Sequence, residues 1–282
     1  MSFRAAIAQI DSRVGDLEGN LRHHLEFIDR ARAEGAHLVL FPELSLSGYT
    51  LRDLAWDTAV DIRASRLLDP LKQVSTAISV VAGLAESGED HGIYNSAVLF
   101  EDGEVKHVHR KIYPPTYGMF EEGRYFRGGR EVRAVSSNVG RLGLLICEDC
   151  WHLSLPYLLA VDGAEVLLCL TASPTRIAGD SLELDNAKIN HEHQRVYARL
   201  LSTYVLFANR VGFEDGVNFW GGSLAVDPFG QPVKQAPLFE EHLLIVDVES
   251  SEVQRARRFS RHFLDENLEL VKNHLLRLTQ PS

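Results

Sequence analysis

Several things are scarce in this sequence, and each shortage excludes a class of protein. No apolar run among the 282 residues approaches the ~20 that a membrane-spanning helix requires. Cysteine occurs three times, too few and odd in number for a disulfide framework, which points to a chain kept reduced in the cytoplasm. The opening stretch MSFRAAIAQI turns polar too soon to hold the long apolar core of a secretory signal. Basic residues are outnumbered, 29 against 39 acids, for a formal net charge of −10. Such a surface repels phosphate backbones, so nucleic acid is not an expected partner. Internal repeats, low-complexity tracts and linker-like Pro/Gly stretches are also missing, and residues 1–282 are expected to form one domain.

What is present is a series of short apolar runs separated by a few longer amphipathic ones. Residues 3–10 read as a strand. Leu17, Leu21, Leu25 and Ile28 then fall at helical spacing, with Gly35 placed to end the helix in the left-handed region. HLVLF (37–41) reads as a second strand. Further strand candidates are 77–85, 95–100, 105–110, 141–146, 165–171, 204–211 and 242–248, with 131–138 pairing to 141–146. Helices are expected over 155–163 and 182–202. Strands outnumber helices and several neighbours look hairpin-linked, so a purely parallel sheet fits poorly and two sheets covered by helices fit better. The charged tail from about residue 249 is long enough to pack on a neighbouring subunit.

Three segments carry chemistry. FPELSLSGY (41–49) places Glu43 at the mouth of a buried strand, a costly position for a carboxylate unless it is paired or used. HVHRKIYPPTYGMFEEGRYF (107–126) places Lys111 at the end of another, followed by two acids and five aromatic rings. ICEDCWH (146–152) places Cys147 at the end of a third. A cysteine there could be a nucleophile, half of a redox pair, a zinc ligand or core filler. With a Glu and a Lys it makes a workable set for acyl transfer: the thiol attacks, the carboxylate moves the proton, and the ammonium holds the oxyanion.

In this order the three segments resemble the signature blocks of the nitrilase (carbon–nitrogen hydrolase) superfamily, and the resemblance extends to GGSLAVDPFG (221–230). It implies an α/β fold of the four-layer α-β-β-α sandwich type, a homodimer or higher homo-oligomer, and a triad of Glu43, Lys111 and Cys147. It also implies a second glutamate, Glu122 rather than Glu121, and an oxyanion contact from the Glu148 backbone. AQIDSRVGDLEGN, GYTLRDL, PPTYGMFEEGRYF and CEDCWH are most similar to the glutaminase domain of glutamine-dependent NAD synthetases. That likeness implies a substrate pocket near Tyr49, Tyr117, Phe120, Trp151 and Ser173. Two departures stand out. The SGGxDS pattern of the synthetase portion is absent from this chain, and SPTRIAGD (173–180) lacks the Gly-Lys that usually follows the Ser-Pro. The first leaves the glutaminase-like domain standing alone; the second bears on specificity for glutamine.

The expected activity is therefore hydrolysis of a small linear amide, such as glutamine or an ω-amide, to ammonia and a carboxylic acid. A separate ammonia-accepting subunit is a possible partner. N-carbamoyl amide hydrolysis and nitrile hydrolysis are alternatives within the superfamily; an acyltransferase or a non-catalytic binding scaffold on the same fold is an alternative from another class. Cys147 and Cys150 form a C-x-x-C, but a redox reading leaves Glu43 and Lys111 without work. His107 and His109 share one face of a strand at ligand spacing, yet no third ligand accompanies them, so no metal or other cofactor is expected.

Overall fold

A computed structural model describes residues 2–175 and 184–280. Two mixed six-stranded sheets form its centre. The first is built from β1 (Ser2–Gln9), β2 (Leu38–Leu40), β3 (Ser79–Ser87), β4 (Ile93–Glu101) and β5 (Glu104–Arg110). The second contains β6 (Val135–Ser137), β7 (Gly140–Ile146), β8 (Val166–Thr171) and β9 (Tyr204–Asn209). A separate hairpin follows, β10 (Val211–Glu214) and β11 (Val217–Trp220). Next, β12 (Leu224–Val226) and β13 (Pro232–Gln235) complete the second sheet, and β14 (His242–Glu249) returns to the first beside β1.

The strand order is β14-β1-β2-β3-β4-β5 in one sheet and β13-β12-β9-β8-β7-β6 in the other. The central strands of each, β1-β2-β3 and β7-β8-β9, run parallel, and the outer ones pair antiparallel. Both faces of these strands are apolar because each sheet is covered twice. On β1, Ala5 and Ile7 point into the space between the sheets, where Leu144, Ile146, Leu168 and Leu206 meet them. Ala6 and Ala8 point the other way, toward helix α1 (Leu17–Ala33). On the far side, α3 (Ser154–Val161) and α4 (Asp185–Leu201) cover the second sheet through Leu155, Leu159, Tyr197 and Leu201. The short α2 (Asp69–Val74) lies with α1 on the first sheet through Leu71. The arrangement is the α-β-β-α sandwich that the resemblance implied.

Helix α1 starts where Asp16 accepts a hydrogen bond from the Gly19 N–H at 2.9 Å, and the chain leaves it through Gly35 at φ +73. Strand 131–138 is shorter than read: only Val135–Ser137 pairs with β7. Hairpin β10–β11 and strand β13 were not anticipated. Residues 182 and 183, the expected start of α4, lie outside the described residues, as does 176–180 of SPTRIAGD.

The tail forms two helices, α5 (Ser250–Phe259) and α6 (Leu268–Thr279). The first packs on its own chain: Val253 enters the core between the sheets, and Arg257 donates to the Ala164 carbonyl at 3.0 Å. Helix α5 is thus anchored on its own chain, while α6 buries none of its residues. Among the described residues no helix is long and apolar enough to cross a membrane.

Candidate active site

Glu43, Lys111 and Cys147 each follow a strand closely: Glu43 three residues after β2, Lys111 directly after β5, and Cys147 directly after β7. The turn holding Glu43 presses on β3 so closely that a Cβ at Gly83 would lie 2.4 Å from the Leu44 amide nitrogen. Only glycine leaves room there.

These turns bring four charged or polar groups into one buried cluster. Lys111 Nζ donates to Glu43 Oε1 at 2.7 Å and to Glu122 Oε1 and Oε2 at 2.7 and 2.8 Å. Lys111 is wholly buried, Glu43 is 1% exposed and Glu122 6%. Asn95, on β4, donates through Nδ2 to Glu43 Oε1 at 2.8 Å and to Glu122 Oε2 at 3.4 Å. The Tyr49 hydroxyl donates to Glu122 Oε1 at 2.6 Å, and the Ala172 N–H donates to Glu43 Oε2 at 2.8 Å. Of the adjacent acids, Glu122 is the one inside; Glu121 faces solvent and pairs with Arg124 at 3.5 Å.

Charges this close shift one another. Burial alone would lower the Lys111 ammonium, but the charges of Glu122 and Glu43 outweigh it and raise Lys111 well above the ordinary lysine value. Burial raises Glu122, with Lys111 pulling against it and Glu43 adding to it. Burial also pushes the Tyr49 hydroxyl well up, as do the neighbouring carboxylates.

Cys147 adopts φ +44, a left-handed backbone conformation that costs a non-glycine residue roughly 1–2 kcal/mol. It opens a single 3-10 turn, Cys147–Trp151. Half-buried, it packs against the core between the sheets. Burial raises its thiol well above the ordinary value, Glu43 adds to this, and Lys111 opposes it, as does a hydrogen bond from the Ala172 backbone. One amide, Ala172, thus serves both the Glu43 carboxylate and the thiol. The thiol is held protonated beside a carboxylate.

The other residues expected to line a pocket are distributed unequally. Ser173 is buried; its N–H donates to Asn209 Oδ1 at 2.8 Å, and its hydroxyl accepts from Asn186 of α4 at 3.0 Å. Tyr117 is half-exposed, donates to Glu148 Oε2 at 2.8 Å, and meets Phe120 edge to face at 5.7 Å between ring centres. Trp151 is 42% exposed and stands edge-on to His193 of α4 at 4.6 Å, so its ring is engaged by the helical layer. Tyr49 is nearly buried, with its hydroxyl turned to Glu122. The Glu148 amide lies in the first turn of the 3-10 segment, among the N–H groups that a helical start cannot pair internally.

Three residues escaped the sequence reading. Asn95 bridges both carboxylates, and its one signal was an amide inside a wholly buried strand. Glu214, at the end of β10, accepts from the Tyr49 backbone N–H at 2.8 Å and from the Thr50 N–H, and is paired with the buried Arg210. Asp149, two residues past Cys147, is fully buried and accepts four hydrogen bonds. Among the described residues no group of three or more His, Cys, Asp or Glu could hold a metal ion.

Comparison with known proteins agrees with this geometry. The family model for carbon–nitrogen hydrolases matches residues 4–258. The glutamine-dependent NAD(+) synthetase of Thermotoga maritima is 33% identical over 254 residues, which is 89% of this chain and 42% of that protein; the chain spans less than half of its length. The glutamine-dependent NAD+ synthetase from Acinetobacter baumannii superposes with a TM-score of 0.80 at 28% identity, over 90% of this chain and 47% of that one. The amidase from Nesterenkonia sp. AN1, of the nitrilase superfamily, aligns over 96% of each chain with a TM-score of 0.78 and 27% identity. In a Glu-to-Gln variant of that amidase, the acetamide moiety of fluoroacetamide is covalently added at the active-site cysteine.

Proposed function

The chain belongs to the carbon–nitrogen hydrolase family, and from that premise we propose that it is a thiol amidase acting on a small linear amide. The observation that carries this reading is the buried Glu43–Lys111–Glu122 cluster set against the Cys147 thiol. Such a cluster is expensive to bury, and a structural role could be filled more cheaply by apolar side chains. Its chemistry matches what amide cleavage needs.

Because the thiol rests protonated, attack requires its proton to leave as the S–C bond forms. Glu43 is the acceptor. Its Oε1 is tied to Lys111 and Asn95 and its Oε2 to Ala172, so the carboxylate is fixed in orientation. One Lys111 N–H directed to Glu43 and one shared between the Glu122 oxygens leave a third for the oxyanion, with the Glu148 N–H as second donor. Glu43 then returns the proton to the leaving nitrogen, and ammonia departs from the thioester. Water attacks next, Glu43 takes its proton, and the carboxylic acid leaves as the thiol is re-formed. Glu122 holds Lys111 in place and Tyr49 holds Glu122.

The acyl group is proposed as that of glutamine or a related ω-amide, supported by the likeness to two glutamine-dependent enzymes. The Tyr117–Glu148 pair beside Cys147 offers acceptors for a substrate N–H. Passage of the ammonia to a separate partner belongs to the same reading. The test is ammonia release from glutamine, asparagine, ω-amides of dicarboxylic acids, N-carbamoyl amino acids and simple nitriles, with wild type and Cys147→Ala side by side. Release from an amide that vanishes in the variant supports the proposal. Release that survives in Cys147→Ala defeats it.

A further inference from the structure

We propose that Asp149 and His109 form a positioning pair that fixes the Cys147 turn against Lys111; the inference rests on the thiol amidase reading. Lys111 follows β5, at the edge of the first sheet, and Cys147 follows β7, in the second. No ladder pairs β5 with β7, so strand hydrogen bonding does not set the separation between the two residues. Asp149 does.

Its carboxylate is fully buried and touches both segments. Oδ1 accepts from the backbone N–H groups of Ile112 at 3.0 Å and Tyr113 at 3.2 Å, the two residues after Lys111. Oδ2 accepts from His109 Nε2 at 2.9 Å, two residues before Lys111, and from the Ile146 N–H at 3.2 Å, the residue before Cys147. The clamp therefore brackets Lys111 on both sides and seizes the residue that launches the left-handed backbone of Cys147.

Four donors converge on two oxygens, a demand only a carboxylate meets. An asparagine could accept at one of those atoms; its NH2 would meet the Ile146 N–H or the Ile112 and Tyr113 N–H groups head-on. His109 is itself 3% exposed, and its ring presents Nε2 as the donor. This accounts for one of the paired imidazoles on β5 without a metal.

The experiment uses the full chain and the best amide from the panel above. Asp149→Asn should lower kcat about 100-fold with KM within about threefold, the size expected when reacting groups are misplaced by about 1 Å. Combined with Lys111→Met, it should cost no more than about a further threefold, because the group being positioned is gone. Cys147 alkylation by iodoacetamide, followed by intact mass, should slow about tenfold as the thiol loses its alignment with Glu43, which takes its proton, and with the Lys111 ammonium. Folded Asp149→Asn with wild-type kcat, or a loss that multiplies in full with that of Lys111→Met, overturns the proposal.

Where Asp149→Asn does not fold, His109→Phe and His109→Gln decide. Phe should lower kcat about tenfold and Gln, which still donates, should restore most of it; equal rates in the two overturn the proposal. Turnover surviving in Cys147→Ala would remove the amidase reading alone, since the alkylation rate tests the clamp without substrate.

Discussion

Lys111 Nζ faces both oxygens of Glu122, at 2.7 and 2.8 Å, out of contact with water. Glu122 therefore neutralises an ammonium that burial would otherwise drive to its uncharged form. Glu122→Gln keeps the shape and removes the charge. It should lower kcat roughly 100-fold and cost about 1–3 kcal/mol of stability, as a buried donor loses its partner. Glu121→Gln, on the exposed side of the same segment, should stay within about twofold of wild type, because exposed ion pairs contribute little. Steady-state kinetics and urea midpoints on the two variants check the assignment; equal effects would reverse it.

The protonated thiol makes a claim about pH. Burial and the Glu43 charge hold Cys147 well above the ordinary cysteine value, so raising the pH from 7 to 9 does not populate thiolate in the free enzyme. The profile of kcat/KM should show no rise over that interval. Glu43→Gln should lose roughly 10²–10⁴ in rate, because the proton acceptor is gone. A rate that climbs tenfold per pH unit above 7 would show a pre-formed thiolate mechanism instead.

Much of this arrangement was legible in the sequence, and the unread part has a common cause. Helix α1 shows apolar residues at helical spacing, strands β2, β7 and β8 are short apolar runs, and a buried strand ending at a charged or thiol residue is a local signal. Asn95 and Asp149 gave no comparable signal, because their partners come from strands distant in sequence and, for Asp149, from two sheets. Asp149 read as one acid beside a cysteine; its role exists only once β5 and β7 are placed together. Hairpin β10–β11 did have a local marker, the Asp215–Gly216 pair, both residues at positive φ. Helix α5 was missed because it buries only Val253 and Ala256, too few to give a stripe.

Asn95 shields Glu43 from Glu122 by donating to both, and its own Oδ1 is buried without a hydrogen-bond partner among the described residues. Asn95→Asp is nearly isosteric and places a third carboxylate against Glu43, Glu122, Lys111, Tyr49 and Cys147. Added negative charge favours the protonated forms of its neighbours. The rate at pH 7 should fall roughly tenfold. A wild-type rate with intact fold would mean that Asn95 serves packing only.

His24 ties the stability of the Glu43 turn to pH. It is fully buried on α1; Nδ1 donates to the Asn20 carbonyl at 2.7 Å, and Nε2 accepts from Ser45 Oγ at 2.9 Å, two residues beyond Glu43. Burial lowers it from 6.5 to about 4. In the unfolded chain it takes up a proton as the pH falls through 6.5, whereas in the folded protein it stays neutral until about 4. Its contribution is therefore complete above 6.5 and is lost as the pH falls toward 4. A gap of this size corresponds to about 3 kcal/mol, at about 1.4 kcal/mol per unit. Urea midpoints measured from pH 7 to pH 4.5 should fall more steeply for wild type than for His24→Gln, which keeps a donor and an acceptor but cannot titrate. Parallel slopes for the two would mean that other groups, with His107 the first to examine, govern the acid transition.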